Sequence, residues 1–534
     1  MDVSWWQAAL FVLDFAIKLV MIGIVPGGRK PSSANAWLLL ILFVPVVGLP
    51  LFLLMGSRIA SRRRHRIQVE AKEAVDNIHT DIPDEPGSLS GEASSIVRLN
   101  RTLTGYPALE ASIPALWTDY DMTMHRMAEL IDNAQHDINI EIYAVAWDDT
   151  TGIVFEAIER AVARGVHVRL LFDHIGSQKY PGFRKLKKRL TEIGVDWHMM
   201  LPLAPLRGRW RRPDLRNHRK LLLIDANVAL LGSFNLIDRT YLLRRHRRAG
   251  RQWVDAFIEL RGPIVASLES MFAVDWFTES GEVLELRSPR EIGSGSGAVG
   301  AGVAGGAGGA SGAGGSGAGG GASGAGVADA SCAGANVVQL VPSGPGYLTE
   351  PNLRMFNTMI HHAREHLILC SPYFVPEDSM LEAITSACYR GVRVDLLVGA
   401  KADQFMVQHA QSSYYEQLLN AGVHIWEFPA PYILHSKFVL ADPGTENAVG
   451  VIGSSNMDIR SFSLNYESSL FIASGSLLPA LHHLALNYIA VSQELLPQVW
   501  EQRPWYRRYI DNVMKLTSAP VSYTHLRAHE TLRY

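Results

Sequence analysis

The chain has 534 residues, more than one hydrophobic core normally supports, which indicates several folded units. Hydrophobic residues make up 48% and charged residues 19%, and 50 Lys and Arg nearly balance 52 Asp and Glu, which excludes wholesale disorder and a dedicated polycation. The three cysteines, Cys332, Cys370 and Cys388, are too few and too scattered for a disulfide framework or a cysteine zinc site, and they favour a reducing compartment.

Two apolar runs open the chain, Trp5 to Val25 and Ala36 to Met55. Each has about 20 residues and is long enough to cross a hydrocarbon layer of ~30 Å, so residues 1–66 predict a transmembrane hairpin with a basic flank. A cleaved signal peptide is the alternative for the first run, but the apolar stretch is too long for one. Arginines at 58, 62, 63, 64 and 66 predict cytoplasmic termini and a multi-pass membrane protein whose folded domains are cytoplasmic.

Residues 67–108 mix Pro, Gly, Ser and acidic residues without sustained periodicity, and they predict a tether. Helix-period and β-rich segments then alternate, which is typical of an α/β layer fold. The first such segments are predicted helices at Met124–Ala134 and Ile153–Arg164 and predicted strands at Ile138–Tyr143 and Val166–Asp173. We place domains at 109–290 and 337–517, separated by a Gly/Ala/Ser-rich linker over 291–336 that cannot bury a core.

Three segments of the first half recur, in the same order, in the second half. ARGVHVRLLFD at 163–173 is answered by YRGVRVDLLVG at 389–399. NHRKLLLID at 217–225 is answered by LHSKFVLAD at 434–442, and GSFN at 232–235 by GSSN at 453–456. The pattern indicates an internal duplication and predicts two similar domains that face each other.

Both halves contain the pattern H-x-K-x-x-x-x-D, and a matched pair of such motifs is far beyond chance. Residues two apart on a strand share a face, so each half should present one imidazole and one ammonium to a common point. The Asp follows an apolar strand at an odd offset from the His, so we expect it mainly to close the turn. The motif residues, which form the predicted catalytic set, are His218, Lys220, Asp225, His435, Lys437 and Asp442.

Two imidazoles and two ammonium groups are the side chains expected at a site that cleaves or transfers a phosphodiester. The lysines neutralise the nonbridging oxygens, one His attacks phosphorus and the other protonates the leaving alkoxide, and this arrangement requires no metal or cofactor. The GSxN segments offer further phosphate-binding groups, which we assign to Ser233, Asn235, Ser454 and Asn456. Each imidazole also needs a partner for its second nitrogen, and the candidates are Asp255 and Glu467, each at the start of an apolar strand.

Two arginine clusters flank the first motif. They could dock anionic lipid headgroups, grip nucleic acid or form solvated loops, and the predicted membrane hairpin favours lipid. The first cluster also contains Trp210, and the two clusters comprise Arg207, Arg209, Arg211, Arg212 and Arg216, then Arg244, Arg245, Arg247, Arg248 and Arg251.

The duplicated H-x-K-x-x-x-x-D motif with a following GSxN resembles the phospholipase D superfamily. Within it, the two apolar runs, the segment RKPSSANAWLLLILFVPVVG and both repeats in this order are similar to the bacterial cardiolipin synthases, from the first helix to about Trp505. The resemblance implies two α/β/α sandwich domains at the bacterial inner (cell) membrane. It also matches Glu141, Tyr143 and Tyr373 to positions near the site, although packing is the commoner role for such residues.

The resemblance further implies a transfer in two steps. A phosphatidyl-histidine forms as glycerol leaves one phosphatidylglycerol, and the glycerol hydroxyl of a second phosphatidylglycerol then takes the phosphatidyl group, which yields cardiolipin. It favours His218 as the nucleophile and His435 as acid, then base. The implied partners are phosphatidylglycerol and other anionic membrane lipids, and no nucleic acid is expected.

Two alternatives stay open. One is hydrolysis of phospholipid or nucleic acid through the same intermediate, with water as the acceptor. The other is a catalytically dead membrane scaffold, which the loss of a motif His or Lys would favour, and neither residue is lost. Two features depart from the family: the linker is unusually long and repetitive, and residues 518–534, which include VSYTHLRAHETLRY, are expected to be a non-native tail.

Overall fold

The computed structural model describes scattered positions between 67 and 83 and the continuous ranges 5–27, 31–56, 89–203, 212–293, 335–347 and 349–517. Several predicted features lie outside these residues. They are the arginines at 58–66, nearly all of the Gly/Ala/Ser-rich linker, the cluster positions 207, 209, 210 and 211, and the tail at 518–534.

The first apolar run forms helix α1 (Trp5–Ile24), which is, among the described residues, the one helix long and apolar enough to cross a membrane. The single second span predicted over Ala36–Met55 is not what the structure shows. Two shorter helices replace it, α2 (Pro31–Phe43) and α3 (Pro45–Met55). Pro45 lacks a backbone N–H and disfavours helical geometry at Val44, which has φ −133° and ψ 64°. The predicted two-span hairpin is therefore not confirmed.

The first domain is built on the expected alternation, and the four segments predicted early in it are confirmed to within a few residues. Its strands are β1 (Ala108–Ser112), β2 (Leu116–Trp117), β3 (Asp137–Ile142), β4 (His167–Asp173), β5 (Asp196–Met200), β6 (Arg216–Asn217), β7 (Leu221–Ile224), β8 (Val228–Gly232), β9 (Trp253–Val254) and β10 (Phe257–Arg261). A helix that precedes the domain and the domain's own helices are α4 (Gly91–Thr104), α5 (Tyr120–Asp132), α6 (Gly152–Ala163), α7 (His174–Gln178), α8 (Phe183–Ile193), α9 (Arg244–Arg248), α10 (Ile264–Ser280) and α11 (Pro289–Gly293).

The second domain repeats this plan. Its strands are β11 (Ala335–Ser343), β12 (His366–Cys370), β13 (Phe374–Val375), β14 (Arg393–Gly399), β15 (His424–Phe428), β16 (Ile433–Leu434), β17 (Phe438–Ala441), β18 (Val449–Gly453), β19 (Met457–Asp458), β20 (Asn465–Ser474) and β21 (Gln493–Glu494). Its helices are α12 (Pro351–His362), α13 (Asp378–Tyr389), α14 (Phe405–Ala421), α15 (Ile459–Ser463), α16 (Leu477–Val491), α17 (Pro497–Glu501) and α18 (Trp505–Thr517).

One mixed sheet runs through both domains. The first domain contributes the order β5-β4-β3-β7-β8-β10-β1, and the second contributes its counterpart β15-β14-β12-β17-β18-β20-β11. The two arrays join where β1 pairs antiparallel with β11, from Ala108 opposite Gln339 to Ser112 opposite Ala335. The duplication seen in the sequence is thus a structural repeat.

Helices cover both faces of the sheet, as an α/β layer fold requires. On one face, α10 and α16 pack into a single apolar cluster that draws residues from both domains. On the other face, α5, α6 and α8 cover the first domain, and α4, α12, α13 and α14 cover the second. The shared cluster makes the domain boundary part of one continuous core.

Part of the predicted tether is folded. Within 67–108, helix α4 begins after Ser90, whose side chain accepts a hydrogen bond from the Ala93 N–H, and it ends at Gly105, which has φ 84°. Buried Ile96 and Val97 pack into the core of the second domain, although the helix precedes the first domain in sequence. The capping residues were visible in the sequence, but only three apolar side chains, those of Ala93, Ile96 and Val97, mark the buried face.

Candidate active site

The sequence predicted that each H-x-K pair lies within one strand. In the structure, each pair instead lies in a short gap between two strands. His218 follows β6, which pairs in parallel with β20 of the second domain. His435 follows β16, which pairs in parallel with β9 of the first domain. Backbone hydrogen bonds fix both positions, from the His218 N–H to the Tyr466 carbonyl (2.8 Å) and from the His435 N–H to the Val254 carbonyl (2.7 Å). The domains therefore exchange strands at the site.

Each histidine contacts a carboxylate of the opposite domain. His218 Nδ1 lies 3.0 Å from both carboxylate oxygens of Glu467, and His435 Nδ1 lies 2.6 Å from Oδ1 of Asp255. A carboxylate only accepts hydrogen bonds, so Nδ1 of each imidazole donates and Nε2 keeps its lone pair. The two candidate carboxylates thus lie where the sequence argument required partners, one for each histidine.

The two motif lysines are buried beside the histidines. Lys220 Nζ donates to the His218 carbonyl at 2.5 Å, and Lys437 Nζ donates to the His435 carbonyl. Burial lowers the pKa of Lys437 to about 8, partly offset by the charges of Asp255 and Glu467. Burial also lowers the pKa of Lys220, and Lys437 contributes to this shift. The positive charge of Lys437 thus disfavours a second cation at Lys220, and a bound anion would offset this repulsion.

The histidines are held in the neutral form. Burial lowers the pKa of His218 to about 4, with Lys220 and Lys437 adding to the shift and Glu467 opposing it. Burial likewise lowers the pKa of His435, against the opposing charge of Asp255. Burial alone would raise the pKa values of Glu467 and Asp255, but the histidines and lysines beside them outweigh it and lower both. The site therefore pairs neutral imidazoles with ionised carboxylates.

The motif aspartates close the turns that follow β7 and β17, at the ends of these strands away from the histidines. Asp225 has φ 52°, and its carboxylate accepts backbone N–H groups of Gln135 (2.8 Å), His136 (2.7 Å) and Asp137 (3.0 Å). Asp442, with φ 50°, binds the N–H groups at 364, 365 and 366 in the same way. Both side chains stabilise the start of the neighbouring strand, which is a structural role.

Three of the four GSxN side chains are engaged within the protein. The hydroxyls of Ser233 and Ser454 donate to Asp255 and Glu467, each at 2.6 Å. The Asn235 amide accepts from the Ala144 N–H (3.1 Å) and donates to the Tyr241 hydroxyl (2.7 Å). In this structure these three groups hold carboxylates and loops instead of facing a phosphate. Asn456 differs, because its buried Oδ1 has no hydrogen-bond partner among the described residues.

Comparison with known proteins identifies the family. The model of "Cardiolipin synthase, PLD-like domain" matches residues 127–276 and 356–485, and a "Phospholipase_D-nuclease N-terminal" model matches residues 15–56. Cardiolipin synthase A of Yersinia pseudotuberculosis (strain YPIII) is 30% identical over 518 residues, which cover 95% of this chain and 96% of the relative. The chain belongs to the cardiolipin synthase family.

Two further matches agree with this membership. Cardiolipin synthase A of Serratia proteamaculans (strain 568) is 29% identical over 527 residues, covering 96% of this chain and 97% of the relative. Among solved structures, phosphatidylserine synthase of Haemophilus influenzae is similar, with a TM-score of 0.53 and 15% identity over 82% of this chain and 98% of that one. The second match supports the fold alone.

The described part of the arginine clusters divides into two groups. In the present chain, Arg212 forms an ion pair with Asp214 (2.5 Å), and buried Arg216 forms one with Asp173 (3.1 Å). These two arginines therefore have partners within the protein. The second cluster forms α9, where the arginines at 244, 245, 247 and 248 are exposed. The exposed arginines of α9 are compatible both with contact to anionic lipid and with simple exposure to solvent.

Sequence reasoning missed a buried ionic cluster behind the first motif. Arg219, the middle residue of H-x-K, forms an ion pair with Asp275, lies 3.8 Å from Glu141 and donates from Nε to the Glu467 carbonyl (3.2 Å). Burial raises the pKa of Glu141 to about 7, against the opposing charge of Arg219. At the equivalent place in the second domain, Cys370 Sγ donates to the carbonyl of Ser436 (3.5 Å). No sequence signal marked Arg219, because its partners lie far away along the chain.

Aromatic side chains border the site. The Tyr143 ring lies 5.1 Å from the His218 ring and 5.5 Å from Lys220 Nζ. The Tyr373 hydroxyl donates to Asp403 (2.7 Å). Among the described residues, no three His, Cys, Asp or Glu side chains are placed to hold a metal ion. What the site offers is two imidazoles and two ammonium groups, with each imidazole influenced by the lysines of both motifs.

Proposed function

We propose that this chain is a membrane-bound phosphatidyltransferase that makes cardiolipin and glycerol from two molecules of phosphatidylglycerol through a phosphohistidine intermediate. The observation that carries this proposal is the pair of imidazoles, each oriented by a carboxylate of the opposite domain, beside two buried lysines. Family membership supplies the substrate class, because the cardiolipin synthase A relatives match nearly the whole chain.

In the first step, Nε2 of one histidine attacks the phosphorus of phosphatidylglycerol. We assign this role to His218 on the resemblance to the family; in the neutral form its Nε2 lone pair is available for attack. When the anionic phosphodiester binds, its charge stabilises a proton taken up by Nε2 of His435. A P–N bond then forms as the bond from phosphorus to the terminal glycerol oxygen breaks, and His435 gives this proton to that oxygen, so glycerol leaves. The ammonium groups of Lys220 and Lys437 neutralise the nonbridging oxygens while charge builds on them.

In the second step, His435, now neutral, takes the proton from the glycerol hydroxyl of a second phosphatidylglycerol. The hydroxyl oxygen forms a bond to phosphorus, and the P–N bond breaks, which releases neutral His218 and cardiolipin. Glu467 stabilises the positive charge that His218 carries while it is bonded to phosphorus, and Asp255 does the same for protonated His435. No proton or charge is left over at the end of the cycle.

We further infer that residues 1–66 anchor the chain as a hairpin in the bacterial cell membrane, with the catalytic domains on the cytoplasmic side. Helix α1 is long enough to span a membrane. Its Met21, together with Val25 just after the helix, packs with Trp37, Ile41 and Phe52 of the next two helices. Most of its other apolar side chains face outward, as lipid contact requires. The domain limits proposed are 109–290 and 337–517, with α4 added to the second domain on the strength of its packing.

The test is to incubate membranes that contain the chain with labelled phosphatidylglycerol and to resolve the products. Cardiolipin with an equimolar amount of glycerol is expected, and His218→Ala or His435→Ala should abolish both while membrane insertion is retained. Phosphatidic acid without cardiolipin would instead establish hydrolysis, the second reading of the same site. A fully active single-histidine variant would contradict the two-histidine mechanism.

A further inference from the structure

Exposed aromatic and basic side chains gather where α14 and α18 begin. The exposed fractions are 65% for Phe405, 79% for Trp505, 50% for Tyr506 and 65% for Tyr509. Three cations are exposed among them, and positions 504–510 carry no acidic residue. We call this surface the aromatic rim; it consists of Lys401, Phe405, Trp505, Tyr506, Arg507, Arg508 and Tyr509.

The rim is not needed to hold α18 in place. The opposite side of α18 does that, because buried Asp511 accepts from His409 Nδ1 (2.6 Å) and from Arg503 (2.7 Å). One turn later, Lys515 Nζ lies 4.7 Å from the centre of the Tyr414 ring. The contact positions advance together along both helices, so α14 and α18 run parallel and their first turns lie at the same end. Phe405 packs edge-on against the His409 ring (4.3 Å between ring centres), yet 65% of its surface stays exposed, and Trp505 and Tyr509 are exposed to a similar extent.

The same end borders the candidate active site. β14 ends at Gly399, where an added Cβ would lie 4.0 Å from the backbone nitrogen of Leu434, the residue before His435. The loop that leads from Gly399 to Phe405 also holds Asp403, which accepts from Tyr373. Tyr373 lies three residues after Cys370, which pairs with Phe438, the residue that follows Lys437. The rim therefore extends from the mouth of the site along the surface of the second domain.

We propose that the aromatic rim docks on the surface of an anionic phospholipid bilayer. Tyr and Trp rings favour the boundary between headgroups and acyl chains, since each has an apolar body and a polar tip. Lys401, Arg507 and Arg508 complement the negative charge of such a surface. The proposal deepens the proposed function, because a lipid substrate leaving the bilayer would then reach the histidines along the rim.

The docking can be tested without turnover. The full chain, with Cys332→Ser and Cys388→Ser, receives a fluorophore at Tyr509→Cys and is reconstituted into phosphatidylglycerol/phosphatidylcholine vesicles that carry a nitroxide on the lipid. The matched control is Tyr389→Cys, an equally exposed tyrosine at the end of α13, separated from the rim by the length of β14. We expect strong quenching at position 509 and none at 389.

Equal quenching at both positions, or quenching at neither, would overturn the proposal. A label at 509 that escapes the nitroxide but is shielded from solvent, with crosslinks between chains, would overturn it in favour of a second copy as the occupant. Removing phosphatidylglycerol from the vesicles should weaken the quenching, since the arginines then lose their counter-charge. Unchanged quenching would contradict the electrostatic part of the argument.

A second measurement links the rim to catalysis. Trp505→Ala with Tyr509→Ala should lower turnover on vesicles about tenfold. It should leave turnover of short-chain phosphatidylglycerol dispersed in detergent unchanged, and Tyr389→Ala should change neither rate. Equal losses in both assays would indicate a folding defect and overturn the proposal. If the unaltered chain makes no cardiolipin, the proposed function fails, and the quenching experiment still decides the docking.

Discussion

Glu467 of the second domain binds the imidazole of His218 in the first domain, with both of its oxygens 3.0 Å from Nδ1. The reciprocal contact joins Asp255 of the first domain to His435 of the second at 2.6 Å. Within its own domain, each carboxylate accepts instead from the serine of the GSxN segment. Neither domain alone can therefore hold its histidine in the reactive orientation, and catalysis depends on the pair.

Removing the charge from Glu467 should strongly lower the reactivity of His218. Glu467→Gln keeps the size of the side chain but cannot stabilise the positive charge on His218, so we expect kcat to fall by about 100-fold or more with a small change in KM. The rate of cardiolipin formation from labelled phosphatidylglycerol in vesicles measures this effect. Adding His218→Ala should cost no more than His218→Ala alone, because the two residues act as a unit.

Ser454→Ala serves as the control for that experiment. The Ser454 hydroxyl contacts Glu467 and not the histidine, so its loss should lower the rate much less than Glu467→Gln does. Asp255→Asn should reproduce the large loss through His435. A Glu467→Gln enzyme with a rate near that of the unaltered chain would show that the cross-domain carboxylate does not matter to catalysis.

The dependence of kcat/KM on pH should reveal the buried lysines. Lysine is a cation below its pKa, and burial lowers the pKa of Lys437 to about 8 and lowers that of Lys220 as well. Binding of the phosphodiester needs both lysine cations, and the first step also needs a proton on His435. Activity should therefore be present at lower pH and be lost as pH rises, with a midpoint no higher than about 8. On the acid side, loss should begin only as pH approaches about 4, where His218 protonates.

Lys437→Arg provides the check, because a guanidinium stays charged throughout this range. The variant should be slower, since its geometry differs, but its alkaline limb should move to higher pH or be set by the remaining groups, Lys220 and His435. An alkaline limb above pH 9 in the unaltered chain would contradict the effect of burial on the lysines.

Much of this site could be predicted from the sequence because its motifs consist of residues at short, fixed spacings. The two motifs, their repetition and the aspartates at the strand ends all depend on residues within nine positions of each other. The pairing of each histidine with its carboxylate does not, because His218 and Glu467 are 249 positions apart and His435 and Asp255 are 180 apart. Their position at the start of an apolar strand identified Asp255 and Glu467 as candidates, but only the exchanged strands decide which histidine each one contacts.

Other differences have local physical causes. Hydropathy treats Ala36–Met55 as one span because it ignores Pro45, which interrupts the helix. The tether prediction overlooked α4, since a helix with one narrow apolar face looks polar on average. The sequence cannot show that Ser233 and Ser454 donate to carboxylates, because those hydrogen bonds depend on the tertiary structure, and their assignment to phosphate stays a prediction.

The buried ionic cluster should make Arg219 critical for stability. Arg219→Met would leave Asp275 and Glu141 buried without their cation, which costs ~3–5 kcal/mol. At the equivalent position, Ser436→Ala removes only a hydroxyl that contacts Tyr488 (3.0 Å) and should cost about 1 kcal/mol. Thermal unfolding of the detergent-solubilised chain, followed by near-ultraviolet circular dichroism, compares the two. If Arg219→Met unfolds at the temperature of Ser436→Ala, the cluster contributes nothing to stability.

The exchanged contacts predict that the covalent link between the domains is dispensable. A protease site inserted between residues 300 and 330 would allow the folded chain to be cut within the Gly/Ala/Ser-rich linker. Because β1 pairs with β11, β6 with β20, and β9 with β16, the halves should stay together through purification in detergent. They should also retain cardiolipin synthesis within about twofold, since the apolar core that both halves share holds them in place without the linker. Protease-treated chain without the inserted site is the control. Separation of the halves, or loss of activity while they remain bound, would show that the linker itself maintains the site.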